Sequence, residues 1–392
     1  MKRTLPVIVI SQFFCTSLWF AGNAVIADIS QQLHFNQSCL AYLTSAVQAG
    51  FICGTLIFAI LSIADRFSPS RVFFFCAMIA GMANLAVTLN RIDLAELIAI
   101  RFLTGFFLAG IYPVGMKIAA DYYDAGLGKS LGFLLGALVL GTSFPHLLKS
   151  ITFAFPWQYV IFSTTALSIL GGSAMYLLVP DGPYRKRDTK LDPSGFLKNF
   201  SNRNFRSAAF GYFGHMWELY AFWTFVPVML VSFNTRNPAV HLNIPLLSFL
   251  VIAGGSGSCV ISGLISRTIS TKKTATVALT ISCCCCLVSP LVFFNAPATI
   301  FVIFLFIWGM AVIADSPMFS TLVAQSVSAV SKGTSLTIVN CIGFSITIIS
   351  IQFINAMKND ANASYIYAFL AVGPILGLIA LTRPKKGIDD LV

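Results

Sequence analysis

The stretch from Ala208 to Val231 reads AAFGYFGHMWELYAFWTFVPVMLV and is almost wholly apolar apart from His215 and Glu218. A helix of about 20 residues crosses the hydrocarbon core of a bilayer, so this stretch is long enough to span one. Ionisable side chains inside a span are costly and are retained mainly where they face a cavity, a partner or a proton path. His215 and Glu218 are three residues apart and share a helix face. The stretch predicts a protein that moves something across a membrane.

The rest of the chain has the same apolar character. Hydrophobic residues make up 57% of its 392 residues and charged residues 10%, and the mean hydropathy is +0.83. Soluble chains carry about 25% charged residues. Twelve apolar segments, most of them separated by short polar turns, lie at residues 5–29, 39–64, 70–89, 94–120, 127–150, 157–179, 207–232, 244–266, 273–294, 297–322, 333–356 and 362–382. The predicted fold class is an all-α polytopic membrane protein with 12 transmembrane helices.

The net charge of +11 reflects basic residues concentrated on one side of the membrane and does not indicate nucleic-acid binding. With both termini placed in the cytoplasm, nineteen of the 25 basic residues fall in cytoplasmic segments and four lie outside. This asymmetry is typical of the positive-inside rule. The first segment begins MKRTLPVIVI and lacks a small-residue cleavage site, so we expect a retained helix. We therefore expect a multi-pass monomer in the lipid bilayer of a bacterial inner membrane, with both termini cytoplasmic.

The two halves of the chain repeat one pattern at an offset of about 200–205 residues. FLTGFFLAGIYP in the fourth segment aligns with FIWGMAVIADSP in the tenth, which places Gly105 on Gly309. Ala49-Gly50 likewise aligns with Ala253-Gly254. Because six is an even number, a duplicated six-helix unit gives two halves of the same orientation, related by an axis along the membrane normal.

A polar stretch with seven basic residues separates the halves. We expect an N-terminal six-helix bundle over 1–180, a cytoplasmic linker over 181–206 and a C-terminal six-helix bundle over 207–392. The linker is either a tether between bundles that move relative to each other or an ordered strap, and the sequence leaves both open.

Several local strings resemble the major facilitator superfamily. ADRFSPSR at 64–71 is similar to the family's GxxxDRxGRR loop, although Leu61 and Ser68 replace two of its glycines, and RFLTGFFLAGIYP at 101–113 resembles its RxxxG motif. Together with the 6+6 organisation, the resemblance covers the whole chain. TSAVQAGF, YPVGMK and GHMWELYAFW resemble a bacterial branch loosely grouped with nitrate/nitrite-type and other anion porters. Gly136 is followed by Ala and not by the Pro of the antiporter motif, which favours symport.

The resemblance implies a conformational latch between the halves, formed by Asp65, Arg66 and Arg71. Asp65 can accept from either arginine and face the start of the eleventh segment near Gly333, where the helix dipole favours negative charge. The alternative is a solvated loop charge.

Two basic residues are candidates to bind a substrate. Arg101 lies eight residues into the fourth segment, about 12 Å along a helix axis. A permanent charge at that depth must meet a carboxylate, backbone carbonyls or an anionic ligand, so a substrate role and a structural bond inside the N-terminal bundle both remain open. Lys117 lies nearer the cytoplasmic rim, where it either binds ligand or extends its ammonium to water.

The remaining substrate-binding candidates are polar or aromatic residues of the same spans. Tyr112 precedes Pro113, which predicts a local break facing the cavity. His146 and Lys149, near the outer end of the fifth segment, either attract anions or are simply hydrated. The other candidates are Asn23, Trp217, Tyr220 and Asn340.

Proton coupling is assigned to Glu218, His215 and Asp315. An apolar surrounding favours the neutral form of a carboxyl group, so Glu218 near the midplane can hold a proton and release it when wetted. His215 can accept that proton. Asp315 is another isolated carboxylate within a span. For Glu218, a permanent structural hydrogen bond is the alternative.

These patterns predict a secondary active transporter that works by alternating access. The favoured function is proton-coupled uptake of a small anionic or carboxylate-bearing solute. The alternatives are efflux of a drug-like or siderophore-like amphipathic compound and a non-transporting membrane sensor. The sequence lacks a metal cluster, a nucleophile motif and a phosphate loop, so we expect neither an enzyme nor a cofactor.

Overall fold

A computed structural model describes residues 4–35, 38–89, 92–123, 127–152, 154–185, 198–328, 331–359 and 361–382. Within these ranges the regular structure is entirely helical. Ten helical stretches are long and apolar enough to cross a membrane, and two shorter apolar helices, Thr4–Thr16 and Ile366–Thr382, accompany them in the described part. The all-α membrane fold predicted from hydropathy is confirmed.

The first half of the chain forms α1 Thr4–Thr16, α2 Ala21–Ala24, α3 Ile26–Leu33, α4 Cys39–Ile60, α5 Ile63–Arg66, α6 Pro69–Ala86, α7 Leu94–Leu108, α8 Tyr112–Tyr122, α9 Leu127–Ile151 and α10 Gln158–Leu178. The second half forms α11 Arg203–Arg236, α12 Ile244–Ile269, α13 Thr271–Asn295, α14 Ala298–Ala314, α15 Ser316–Gln325, α16 Lys332–Met357, a 3₁₀ stretch Ile366–Ala371 and α17 Val372–Thr382. These helices make two six-span bundles, in which the first, fourth, tenth and twelfth spans are each built from more than one helix.

The fourth and tenth spans break at matching places. Pro113 lies in the first turn of α8 and Pro317 in the first turn of α15. Proline lacks an N–H and is tolerated in the first turn of a helix, but it cannot continue the preceding one. The break expected at Tyr112 and Pro113 is therefore present, and its partner in the second half falls at Asp315.

The repeat is also visible in the packing. A Cβ on Gly105 would collide with the backbone carbonyl of Val47, and a Cβ on Gly309 would collide with the carbonyl of Val251. Both glycines therefore let two spans approach closely, the second with the fourth and the eighth with the tenth. The same pairing recurs in both halves, which supports a duplicated unit.

The bundles meet along two pairs of helices, α9 with α12 and α4 with α16. Ser256 on α12 donates to the carbonyl of Gly136 on α9 at 3.1 Å. Gln352 on α16 donates to the hydroxyl of Ser45 on α4 at 2.8 Å. Gln352 also donates to the carbonyl of Ala41 at 3.2 Å, and Thr347 donates to Oε1 of Gln48, so several polar contacts cross the boundary.

The two described ends of the predicted linker are fastened to different bundles. Arg185 donates to the carbonyl of Phe67 at 2.7 Å, beside the N-terminal bundle. Asn199 donates to the hydroxyl of Ser335 at 2.9 Å, at the start of α16. Residues 186–197 of the predicted linker lie outside the described residues, as do 1–3 and 383–392 at the termini.

Candidate functional site

A cavity of about 1020 Å³ lies between the two bundles. We call the side of the molecule that carries the linker the linker face, and the opposite side the far face. The lining residues come from the helix ends at the far face, so the cavity opens there. Contributions come from α2, α3, the starts of α4 and α12, and the ends of α9, α11 and α16.

Basic side chains outnumber acidic ones among the described lining residues. Asp28 and Lys149 lie on the N-terminal wall and form an ion pair of 2.8 Å. Arg236 and Lys358 lie on the C-terminal wall. The guanidinium of Arg236 stacks on the ring of Phe294 at 5.5 Å from its centroid. Because the pair neutralises Lys149, the positive charge of this lining is concentrated on the C-terminal wall.

Two polar residues of the N-terminal wall are buried more deeply than this rim. Asn23 is 5% exposed and His146 is 3% exposed, and both line the cavity. Asn23 was one of the predicted substrate-binding residues. His146, a weaker candidate in the sequence, lies too deep for simple hydration at the mouth.

An aromatic cluster closes the space between the bundles on the linker-face side of the cavity. We define it as Trp19, Phe51, Tyr220 and Phe344. The rings of Trp19 and Tyr220, from different bundles, are stacked with centroids 5.9 Å apart. Phe51 and Phe344 lie 4.7 Å apart across the same boundary. Of the predicted aromatic candidates, Tyr220 belongs to this cluster.

Glu218 is buried inside the C-terminal bundle. One of its oxygens, Oε1, accepts hydrogen bonds from Ser282 Oγ at 2.5 Å, Trp308 Nε1 at 2.6 Å and Cys286 Sγ at 3.2 Å. These donors belong to α13 and α14, whereas Glu218 belongs to α11. Hydrogen bonds to an ionised acceptor are stronger than those between neutral groups. The carboxylate therefore joins three helices.

His215 and Asp315 form a second buried polar contact, one helical turn from Glu218. Nδ1 of His215 lies 2.7 Å from Oδ1 of Asp315, and both side chains are 1% exposed. Asp315 occupies the break between α14 and α15. The three residues predicted to handle protons are thus brought together in one bundle.

Arg101 is enclosed within the N-terminal bundle. Its guanidinium donates to the carbonyls of Leu18 at 3.0 Å and Trp19 at 2.7 Å, and to Asn84 Oδ1 at 3.2 Å. The two carbonyls lie in the turn between α1 and α2, where no helical amide is available for them. The sequence left a carboxylate, backbone carbonyls and an anionic ligand open as partners of Arg101. The structure shows backbone carbonyls.

The linker face contains a network around Lys117. Its ammonium lies 2.8 Å from Asp65 and 3.8 Å from Asp121. The side chains of Arg66 and Arg71, predicted as latch residues, are exposed. Asp65 is thus paired with a lysine that is 52 residues away in the chain.

The remaining predicted residues lie outside the lining of the far-face cavity. Trp217 donates to the carbonyl of Phe369 at 3.3 Å and packs toward the twelfth span. Tyr112 packs at the edge of the hydrophobic core. Asn340 is half-buried on α16.

A family model described as Major Facilitator Superfamily matches residues 8–351. No curated protein matches the chain.

Several solved structures are similar. A mutant form of the nucleoside transporter NupG has a TM-score of 0.74 at 14% identity, covering 97% of this chain and 99% of that one. The xylose transporter XylE from E. coli, in a partially occluded inward open conformation, has a TM-score of 0.74 at 12% identity, with 98% of each chain covered. The human organic anion transporter MFSD10 (TETRAN) has a TM-score of 0.72 at 13% identity, covering 97% of this chain and 99% of that one. At these identities the likeness shows the fold alone.

Proposed function

Because the chain belongs to the major facilitator superfamily, we propose that it couples uptake of a small anionic or carboxylate-bearing solute to the inward movement of protons. It is a transporter and not an enzyme. The far face would lie outside a bacterial inner membrane and the linker face in the cytoplasm. The distribution of basic residues supports this orientation, because cytoplasmic loops of membrane proteins are enriched in Lys and Arg.

The proposal that the solute is anionic rests on the charge of the residues that line the far-face cavity. Arg236 and Lys358 face the cavity with no acidic partner among the described residues, whereas Lys149 is already paired with Asp28. A cavity lined by one sign of charge between low-dielectric walls attracts ions of the opposite sign. We therefore assign the anionic part of the solute to the C-terminal wall.

The proposal for coupling rests on the surroundings of Glu218. Burial favours the neutral form of its carboxyl group, whereas the three donors favour the charged form. Ser282 and Cys286 belong to α13 and Trp308 belongs to α14, so a shift of these helices relative to α11 would remove donors and favour proton uptake. We assign the role of proton acceptor to His215 and Asp315, which form a buried contact one turn closer to the linker face.

Arg101, inside the N-terminal bundle, supports the N-terminal wall of the far-face cavity. By holding the carbonyls of Leu18 and Trp19, it fixes the turn that precedes Asn23 and aligns Trp19 in the aromatic cluster. Lys117 and Asp65 both belong to the N-terminal bundle, so their contact would stabilise the linker-face end of that bundle.

The test is uptake by purified protein in proteoliposomes with an imposed pH gradient, acid outside. Radiolabelled succinate, malate and lactate serve as probes. We expect the wild type to accumulate at least one of them, and Glu218→Gln to lose accumulation against a gradient. The matched control is Glu96→Gln. Glu96 is an exposed capping residue at the start of α7, and glutamine can fill the same capping role. Unchanged proton-driven accumulation in Glu218→Gln would exclude the coupling role.

A further inference from the structure

The amide of Asn23 has one orientation fixed by its neighbours. The hydroxyl of Thr44 donates its single proton to the carbonyl of Leu40 at 2.8 Å. Oγ1 of Thr44 can therefore only accept from Asn23, whose side chain lies 2.8 Å away. The amide atom that faces Thr44 must be the NH₂ group, because the amide oxygen has no proton to donate. The chain from Leu40 through Thr44 thus determines which end of the amide remains for the cavity.

That remaining end is a hydrogen-bond acceptor without a partner. Oδ1 of Asn23 is buried and accepts from no described group, and Asn23 lines the far-face cavity. Nε2 of His146, in the same wall, is also buried without a described partner. Buried polar atoms of folded proteins nearly always have a partner in the protein, in water or in a ligand. The N-terminal wall is therefore prepared to accept a hydrogen bond from the occupant.

The two walls of the cavity offer different chemical groups to a solute. The C-terminal wall contains the basic residues Arg236 and Lys358, and the N-terminal wall contains Asn23, whose Oδ1 is buried without a described partner. A solute that satisfies both must carry an anionic group at one end and an O–H or N–H group at the other. Such a solute would bridge the bundles across the cavity.

We propose that the cavity selects small carboxylates that also bear a hydrogen-bond donor, either a hydroxyl or an ammonium group, and that Asn23 is the residue that detects the donor. This rests on the anionic substrate class of the proposed function and adds a second requirement to it. An analogue without the donor would leave Oδ1 buried and unpaired. Sites built to bond a substrate hydroxyl discriminate strongly against analogues that lack it.

Two matched sets of acids test the requirement without any mutation. Malate, aspartate and succinate differ in carrying a hydroxyl, an ammonium group or hydrogen at one carbon, and so do lactate, alanine and propanoate. Binding to the full-length protein in lipid nanodiscs is measured by calorimetry at one pH and one ionic strength. We expect the donor-bearing member of a set to bind about 10-fold or more tightly than succinate or propanoate. The comparison of hydroxyl with ammonium identifies which donor is preferred.

Variants then assign the discrimination to Asn23. Asn23→Leu is expected to reduce the preference to about 2-fold or less, because no acceptor remains to be left unpaired. Thr44→Val is expected to weaken the preference as well, because the amide is then free to rotate and present its NH₂ group. Asn295→Leu, an exposed asparagine at the far-face end of α13, is the control and should keep the wild-type preference.

The outcomes separate this inference from the proposed function. Equal binding of all six acids by the wild type would overturn the donor requirement and leave the anionic substrate class intact. Binding of none of the six would overturn both. A wild-type preference that persists in folded Asn23→Leu and Thr44→Val proteins would show that another residue detects the donor.

Discussion

The indole Nε1 of Trp308 lies 2.6 Å from Oε1 of Glu218, although the two residues are 90 positions apart in the chain. Ser282 and Cys286 donate to the same oxygen. A buried carboxylate with three donors is a strong link between helices, because each donor stabilises the same charge. In this protein the link joins α11 to α13 and α14, inside the bundle that also holds His215 and Asp315.

Removing the indole donor should weaken this link. We expect Trp308→Phe to lower the free energy of unfolding by about 2 kcal/mol or more, since a hydrogen bond to a charged group contributes roughly 1.5–3 kcal/mol and packing is lost as well. Thermal unfolding of the purified protein in one detergent measures the change. Trp217→Phe is the control, because Trp217 donates to the neutral carbonyl of Phe369 at 3.3 Å and is less buried.

The paired variant with Glu218→Gln completes a double-mutant cycle. If the indole acts through the carboxylate, the two changes should be less than additive. Fully additive losses would mean that Trp308 contributes through packing alone.

A substitution at Arg101 distinguishes a structural role of this residue from a role in substrate binding. Arg101→Lys keeps the charge but loses the planar fork that reaches Leu18, Trp19 and Asn84. We expect it to destabilise the protein by about 2–4 kcal/mol, because carbonyls and a charge are left imperfectly paired in a dry interior. Thermal unfolding without any solute measures this loss. Wild-type stability combined with complete loss of anion binding would instead assign Arg101 to the substrate.

The positions of the spans could be predicted because partition into a bilayer is a property of local sequence. The predicted segments 94–120 and 244–266 correspond to the observed stretches Leu94–Tyr122 and Ile244–Ile269. The seventh span, α11, begins earlier than predicted, at Arg203. Asn202 caps this helix by accepting a hydrogen bond from the backbone N–H of Asn204 at 2.9 Å. A polar first turn gives no hydropathy signal, so the prediction began at residue 207.

The partners of the site residues could not be predicted in the same way. The sequence offered Arg66 and Arg71 as donors to Asp65, and it gave no sign of the contact with Lys117 that the structure shows at 2.8 Å. Such pairs depend on which faces of distant helices meet, and an apolar stretch does not determine the face. Asn23 was found because a lone amide in an apolar span is visible in the sequence, whereas its fixed orientation depends on Thr44 in another helix.

The contact of Asp65 with Lys117 should contribute a modest, salt-dependent coupling. Both side chains are partly exposed, at 14% and 24%, so we expect about 1 kcal/mol from a double-mutant cycle of Asp65→Asn and Lys117→Met. Thermal unfolding at low and high salt measures it, and the coupling should shrink at high salt. The cycle of Lys117→Met with Asp121→Asn is the internal comparison, because that pair is 3.8 Å apart and should couple less. Equal coupling in the two cycles would contradict the assigned geometry.

A disulfide between α9 and α12 should hold the bundles in the arrangement that opens at the far face. A Cβ on Gly136 would lie 3.0 Å from Oγ of Ser256, which is close to the separation between a Cβ and the partner sulfur in a disulfide. We expect Gly136→Cys/Ser256→Cys to cross-link under mild oxidation and to lose transport by at least 10-fold, because alternating access requires the bundles to move at this contact. Proteoliposome uptake before and after reduction measures the effect, with each single variant as a control for the cysteines already present. Full transport by the cross-linked protein would mean that this contact is a fixed pivot and that the bundles separate elsewhere, along α4 and α16.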